Sequence, residues 1–169
     1  MNNDQFIVSI LVANHFGVLT RVAGLFSKRG FNIDSLTVGV TEDPEVSRMT
    51  IVSTGDEYVK EQIVKQLEKL VDVKTVQLMD AQSTVSRELI IIKLHIAPGK
   101  RHEVTEAVQI FRAKVIDLSQ EIITVELTGN RAKLDAFVEY LRPYNIMEIC
   151  RTGVTAIGRN NYCLAEGKS

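Results

Sequence analysis

The element order βαββαβ, spelled twice along 169 residues, predicts an α+β protein of two ferredoxin-like domains, each an antiparallel sheet with its helices on one face. Three observations carry this reading. Four amphipathic helical runs of similar length recur at regular intervals, alternating apolar segments lie between them, and the two halves share short stretches of spelling.

Phe6 to Val12 alternates as a strand and runs through Asn14-His15-Phe16-Gly17 into a helix from Leu19 to Arg29. Its apolar residues Leu19, Val22, Ala23 and Phe26 fall at i, i+3, i+4 and i+7, which places them on one buried stripe. Ile33 to Val40 and Arg48 to Ser53 read as the next two strands. Asp56, an N-cap by type, then opens a second helix to Leu70 that turns Val59, Ile63, Leu67 and Leu70 inward. Val73 to Asp80 closes the first half.

The second half repeats the plan. Leu89 to Ile96 alternates, with Lys93 and His95 near its end, and a third helix sets Val104, Ala107, Val108 and Phe111 on its apolar face. Val115 to Leu118 and Ile122 to Thr128 follow as strands. Asn130 caps a fourth helix with Leu134, Phe137, Val138 and Leu141 inward, and Ile146 to Thr152 is the last strand read. Ser53-Thr54-Gly55-Asp56 matches Leu127-Thr128-Gly129-Asn130 in position, as Phe26-Ser27-Lys28-Arg29 matches Phe111-Arg112-Ala113-Lys114, the pattern of a duplication. The polar run Ala81-Gln82-Ser83-Thr84 is the linker, giving domains at 4–80 and 85–160. With both helices on one face, the other face of each sheet needs cover. Leu36, Val38 and Val40 point to a dimer partner for it.

Composition narrows the function classes. With 45% hydrophobic residues and a net charge of −1, the chain has a full core and no global field toward nucleic acid or membranes. Residues 1–80 carry 8 basic and 11 acidic side chains, net −3; the remainder is net +2. An RNA-recognition module would share the βαββαβ order, but the strands lack its exposed aromatic pairs. The start of the chain has no targeting signature and no apolar stretch spans a bilayer, so cytoplasmic residence is expected. Cys150 and Cys163 read as structural or surface thiols, and no metal-ligand spacing occurs.

The strand-to-helix turn at Asn14–Leu19 is the candidate binding site. The first N–H groups of a helix lack internal partners and sit at the positive end of its dipole, so Gly17 and Val18 can receive a carboxylate. Gly30-Phe31-Asn32-Ile33 adds a second asparagine; Asn14 and Asn32 can orient an ammonium group, while Leu19 and Ile33 can enclose an apolar side chain. The chemistry is that of a small zwitterion. Catalysis by the chain itself is not expected: no nucleophile–base set, metal cluster, P-loop or dinucleotide fingerprint occurs, and His15, His95 and His102 read as rim or solvent-facing residues.

The runs Asn14–Arg21, Gly24–Val38 and Ser47–Ile51, continuing through Gln66–Val73, Arg87–Leu89, Phe111–Ala113 and Lys133–Phe137, resemble the small, regulatory subunits of acetolactate synthase (acetohydroxyacid synthase). That resemblance implies that the N-terminal domain is an ACT domain forming homodimers, with valine as effector at Asn14, Gly17, Val18, Leu19, Asn32 and Ile33. It also implies that the asparagine after the first helix lies close to the carboxylate turn. The implied partner is the catalytic large subunit, which uses thiamine diphosphate, Mg²⁺ and FAD; this chain would bind none of them. The implied role is activation and feedback inhibition in branched-chain amino acid biosynthesis. A stand-alone ACT-type sensor and an acylphosphatase-like hydrolase using Arg21 are the alternatives. The second domain departs from the pattern, with Pro98-Gly99-Lys100-Arg101-His102-Glu103 in place of the asparagine–glycine turn, and is read as structural or partner-contacting.

Overall fold

The computed structural model describes residues 5–80, 82–97 and 99–164. Of the sequence expectations, Asp4 at the first domain boundary, Ala81 in the linker and Pro98 before the third helix lie outside the described residues. The chain divides into two compact units: residues up to Ser86 together with those from Val154 onward, and Arg87–Gly153.

In the first unit, β1 (Gln5–Ala13), α1 (Val18–Arg29), β2 (Ser35–Val40), β3 (Val46–Thr54), α2 (Glu57–Leu67) and β4 (Val73–Met79) form the expected βαββαβ order. The sheet order is β2-β3-β1-β4, antiparallel throughout, with Phe6 opposite Ser53 and Ile10 opposite both Met49 and Val76. Alternation along β1 sends Phe6, Val8, Ile10 and Val12 to one face, where they meet Met49 and Ile51 of β3 beneath Val22, Phe26, Ile63 and Leu67 of the helices. Each fully buried side chain of this kind contributes about 1.5–3 kcal/mol. The stop signals are local. Gly30, at φ +69°, ends α1 by donating to Phe26 O and Ser27 O, a left-handed C-cap that a side chain would strain. The Asp56 side chain accepts from Val59 N at 2.9 Å to start α2. That helix closes at Leu67, earlier than the periodicity suggests, and Leu70 packs on the core from the following turn.

The second unit holds most of β5 (Thr84–His95), then α3 (Arg101–Phe111), β6 (Lys114–Leu118), β7 (Ile122–Gly129), α4 (Arg131–Leu141) and β8 (Asn145–Arg151), in sheet order β6-β7-β5-β8. Ile90, Ile92 and Leu94 of β5 pack with Ile123, Val125 and Leu127 of β7 against Val104, Ala107, Leu134, Phe137 and Leu141. Asn130 caps α4 by accepting from Lys133 N at 2.9 Å.

A further strand, β9 (Thr155–Gly158), pairs with β5 and has no counterpart in the sequence reading. Its four residues are too few to show a period. Residues 154–160, grouped with the second domain in that reading, belong to the first compact unit. They cover the sheet face opposite the helices: Val154 and Ala156 are buried with Ile7, Val52 and Met79. Polar clamps fix this strap. Thr37 Oγ1 donates to Val154 O at 2.9 Å, Val154 N donates to Ser35 Oγ at 3.2 Å, and Arg48 Nη2 donates to Ala156 O at 2.7 Å. Burial holds the Arg48 guanidinium below its usual pKa.

The strap corrects the expectation of a bare sheet face needing a partner. Leu36 and Val38 pair with Ile51 and Met49, so they share the helix-side face, where Leu36 packs on the core. Val38 and Val40 are exposed because they lie on the edge strand, beyond the reach of α1.

Candidate functional site

The turn between β1 and α1 is built by Gly17, whose φ of +86° reverses the chain in a conformation that favours glycine. No side chain caps α1, and its first turn carries no acidic residue. The N–H groups of Val18, Leu19 and Thr20 therefore have no helical acceptor and form a positive concavity. Val18 is buried in the core and anchors this end; Leu19 is half-exposed beside it. Phe16, at the tip of the turn, is 99% exposed.

Asn14 braces the turn from the side. Its Nδ2 donates to Pro44 O at 2.8 Å, its Oδ1 accepts from Ser47 Oγ at 3.0 Å, and its backbone N–H reaches Glu45 O at 2.8 Å. The amide thus ties the β1–α1 turn to the β2–β3 connection and keeps one N–H and one lone pair not engaged by these bonds.

Asp72, which the sequence reading did not single out, is the organising carboxylate below the turn. It is 9% exposed, its Oδ1 lies 3.0 Å from His15 Nε2, its Oδ2 accepts from Arg21 Nη1, and its backbone oxygen accepts from Ala13 N at 2.8 Å. His15 is exposed, as expected of a rim residue, and its Nδ1 lies 3.1 Å from Phe16 O. Arg21 is exposed, as expected, and also reaches Asp72; its Nη2 lies 3.7 Å from where a Cβ on Gly17 would stand. The only sequence signal for Asp72 is an acidic residue between Val71 and Val73 in an otherwise apolar stretch.

Asn32 and Ile33 lie at the other end of α1. The helix has 12 residues, so about 18 Å separates its two ends. There Asn32 Nδ2 donates to Asp34, Asn32 O accepts from Ser53 Oγ at 2.6 Å, and Asp34 Oδ2 accepts from Thr54 Oγ1 at 2.7 Å and Gln5 Nε2 at 3.0 Å. Ile33 is half-buried against the core. One chain brings Asn14, Gly17, Val18 and Leu19 together and holds Asn32 and Ile33 apart from them. The proximity implied by the family resemblance does not occur within a single copy.

Among the described residues, no group of three or more His, Cys, Asp or Glu side chains could hold a metal ion, and no helix is long and apolar enough to cross a membrane. Both cysteines are free and exposed.

Residues 8–75 match the model of the AHAS small subunit-like ACT domain, and residues 87–160 match that of the small subunit of acetolactate synthase. The chain belongs to the acetolactate synthase small-subunit family. It is 48% identical over 163 residues to a probable acetolactate synthase small subunit of Methanothermobacter thermautotrophicus, covering 95% of this chain and 96% of that one. It is 46% identical to the acetolactate synthase isozyme 3 small subunit of Escherichia coli K12, with 92% and 96% covered. The crystal structure of the acetolactate synthase small subunit from Thermotoga maritima superposes with a TM-score of 0.86 at 44% identity, over 93% of this chain and 98% of that one. The small-subunit family thus accounts for both domains, and the open α1 terminus lies within its ACT domain.

Proposed function

We propose that this chain is the regulatory, non-catalytic subunit of a cytoplasmic acetolactate synthase, activating the catalytic large subunit and conferring feedback inhibition by valine. Thiamine diphosphate, Mg²⁺ and FAD belong to the large subunit in this reading. The observation that carries it is the uncapped N-terminus of α1, with no acid in its first turn, in a chain of this family. A valine carboxylate accepts from the N–H groups of Gly17, Val18 and Leu19. Asn14 holds the ammonium group, and Leu19 encloses the aliphatic side chain.

Because Asn32 and Ile33 stand about 18 Å away along α1, they complete the site of a second copy. In a homodimer whose α1 helices run antiparallel, the Gly17 end of one copy meets the Asn32 end of its partner. The exposed edge strand β2, with Val38 and Val40 outward, supplies apolar surface for that pairing. Valine regulates by preferring one arrangement of the dimer; a coupling of about 1–3 kcal/mol changes an affinity roughly 5- to 150-fold.

Calorimetric titration with valine, run beside Asn14→Ala and with lysine as control ligand, tests the effector. Mixing with purified large subunit tests the partner. Saturable valine binding that weakens in the variant, with a rise in large-subunit activity on mixing, is the expected result. Absence of both from the folded protein overturns the reading.

A further inference from the structure

Gly24 sits in the middle of α1, where a glycine destabilises a helix by roughly 0.5–1 kcal/mol relative to alanine. Nothing within the chain demands it: its φ is not positive, and a Cβ built there meets no atom within 4 Å. What the missing side chain does is open the floor of a groove of about 540 Å³ between α1 and the end of α2.

That groove is apolar at its base and cationic at its rim. Leu25 and Leu70 line it, and Val71, next in the chain, is 90% exposed. Arg21, Lys28 and Arg29 line it as well, with no carboxylate among the lining residues. Arg21 is paired with Asp72, but Lys28 and Arg29 have no ion-pair partner among the described residues, in a stretch, residues 1–80, with 8 basic and 11 acidic side chains and a net charge of −3. Local charge runs against the surrounding field, which marks a surface shaped for a negatively charged occupant. Arg29 Nη2 donates to Gln66 Oε1 at 3.1 Å, which orients it along the rim, and Lys28 has no ion-pair partner among the described residues.

The dimensions select the shape of that occupant. Along α1 the groove runs from Thr20 to Arg29, about 14 Å at 1.5 Å per residue, the length of two to three helical turns. A helix laid over a glycine approaches closely and buries its apolar face against Leu25 and Leu70. The second domain differs between its helices. There Phe111 stands 5.1 Å from the Phe137 ring and 6.0 Å from that of Tyr140, so aromatic side chains fill the space between α3 and α4.

We infer that the α1–α2 groove docks an acidic amphipathic helix of the catalytic large subunit. This rests on the regulatory-subunit reading and names the surface by which that reading works. The groove lies on the α2 side of α1 and meets the uncapped turn only at Thr20 and Arg21, while Gly24 and Lys28 stand about one and two helical turns further on, so their effects on partner binding and on valine binding are separable.

The test uses the full-length chain and purified large subunit. Gly24→Leu fills the floor and favours the helix, and Lys28→Glu reverses charge at the rim. Each is expected to weaken large-subunit affinity tenfold or more, measured by calorimetry. Valine affinity, dimer mass and melting temperature stay at wild-type values, the last rising slightly in Gly24→Leu. Large-subunit affinities within twofold of wild type in both variants overturn the docking site. So does a change in dimer mass with Gly24→Leu, which would give the groove to a second copy. If the wild-type chain itself neither binds nor activates the large subunit, the regulatory reading fails together with it.

Discussion

The helix that follows the first strand of each domain begins in opposite ways. At α1 the turn is a left-handed glycine with no side-chain cap and no acidic residue. At α3, which also has no side-chain cap, the corresponding position is Lys100 in helical geometry, and the first turn carries Glu103. Lys100 Nζ donates to Glu103 Oε1 at 2.5 Å, Tyr144 OH donates to its Oε2 at 2.9 Å, and Arg101 Nη2 donates to Ser119 O at 2.7 Å, tying the helix start to the β6–β7 turn. The second domain thus carries a paired acidic side chain in the first turn of this helix, where the first domain carries none. A duplicated fold keeps its architecture while the charge placed at the start of this helix differs between the copies. The outer sheet faces differ in the same spirit. The first is apolar at Ile7, Val52 and Met79 and sheltered by the strap, whereas the second carries ion pairs Lys93–Glu148 at 3.3 Å and Lys114–Glu126 at 3.8 Å.

Removing the strap is the strongest way to break this comparison. A chain truncated after Gly153 uncovers Ile7, Val52 and Met79 and is expected to destabilise the first unit by at least about 3 kcal/mol. Site-resolved hydrogen exchange checks it: amides of β1 and β3 lose protection while those of β7 keep theirs, and equal loss in both sheets would contradict the division.

Gly17→Asp tests the open helix end. The new carboxylate occupies the anion site and meets the Arg21 guanidinium, while φ +86° strains the backbone by roughly 1–2 kcal/mol. Valine affinity should fall by 100-fold or more in calorimetry, with activation of the large subunit retained. Loss of activation as well would mean that the turn itself contacts the partner.

Where the halves are alike, they should respond alike. Asp56→Ala and Asn130→Ala each delete a side-chain cap at matching helices, so each should lower stability by about 1 kcal/mol in chemical denaturation. A difference of several-fold would argue against their equivalence.

The smallest effect is a pH dependence confined to the second domain. Hydrogen bonding to Glu103 pushes the Tyr144 phenol up to about 12 from 10.0. Lys100 first and Tyr144 second hold Glu103 below its ordinary 4.5. A raised phenol stabilises the fold below pH 10, and that contribution fades as pH climbs through about 12. A lowered carboxyl stabilises above 4.5 and fades as pH falls through its folded value. The stability difference between wild type and Tyr144→Phe should be flat from about pH 5 to 10 and shrink on either side. A difference independent of pH would show that the hydroxyl contributes only packing.

Much of this was legible in the sequence because it is local. The stripes of Val22 and Phe26, or Leu134 and Phe137, and the caps Asp56 and Asn130 depend on residues within a turn or two of each other. Gly17 declared its turn for the same reason. What escaped depends on distance along the chain. Asp72 is 51 residues from Arg21, and its bracing of the turn follows only from the register that sets β4 beside β1. The strap lies more than 100 residues from the Thr37 and Arg48 side chains that hold it, and its four-residue strand carries no period. The span between Gly17 and Asn32 illustrates a simpler limit: α1 joins them in sequence and holds them about 18 Å apart within one chain.

The return of Val154 and Ala156 to the first unit gives the protein a history that its order of synthesis does not share. The first sheet emerges from the ribosome early, yet the cover for Ile7, Val52 and Met79 is translated only after all of Arg87–Gly153. At roughly 5–20 residues per second, several seconds pass with that apolar surface bare. The intervening domain, joined to the first at both of its ends, can finish folding before the sheet that precedes it is sealed.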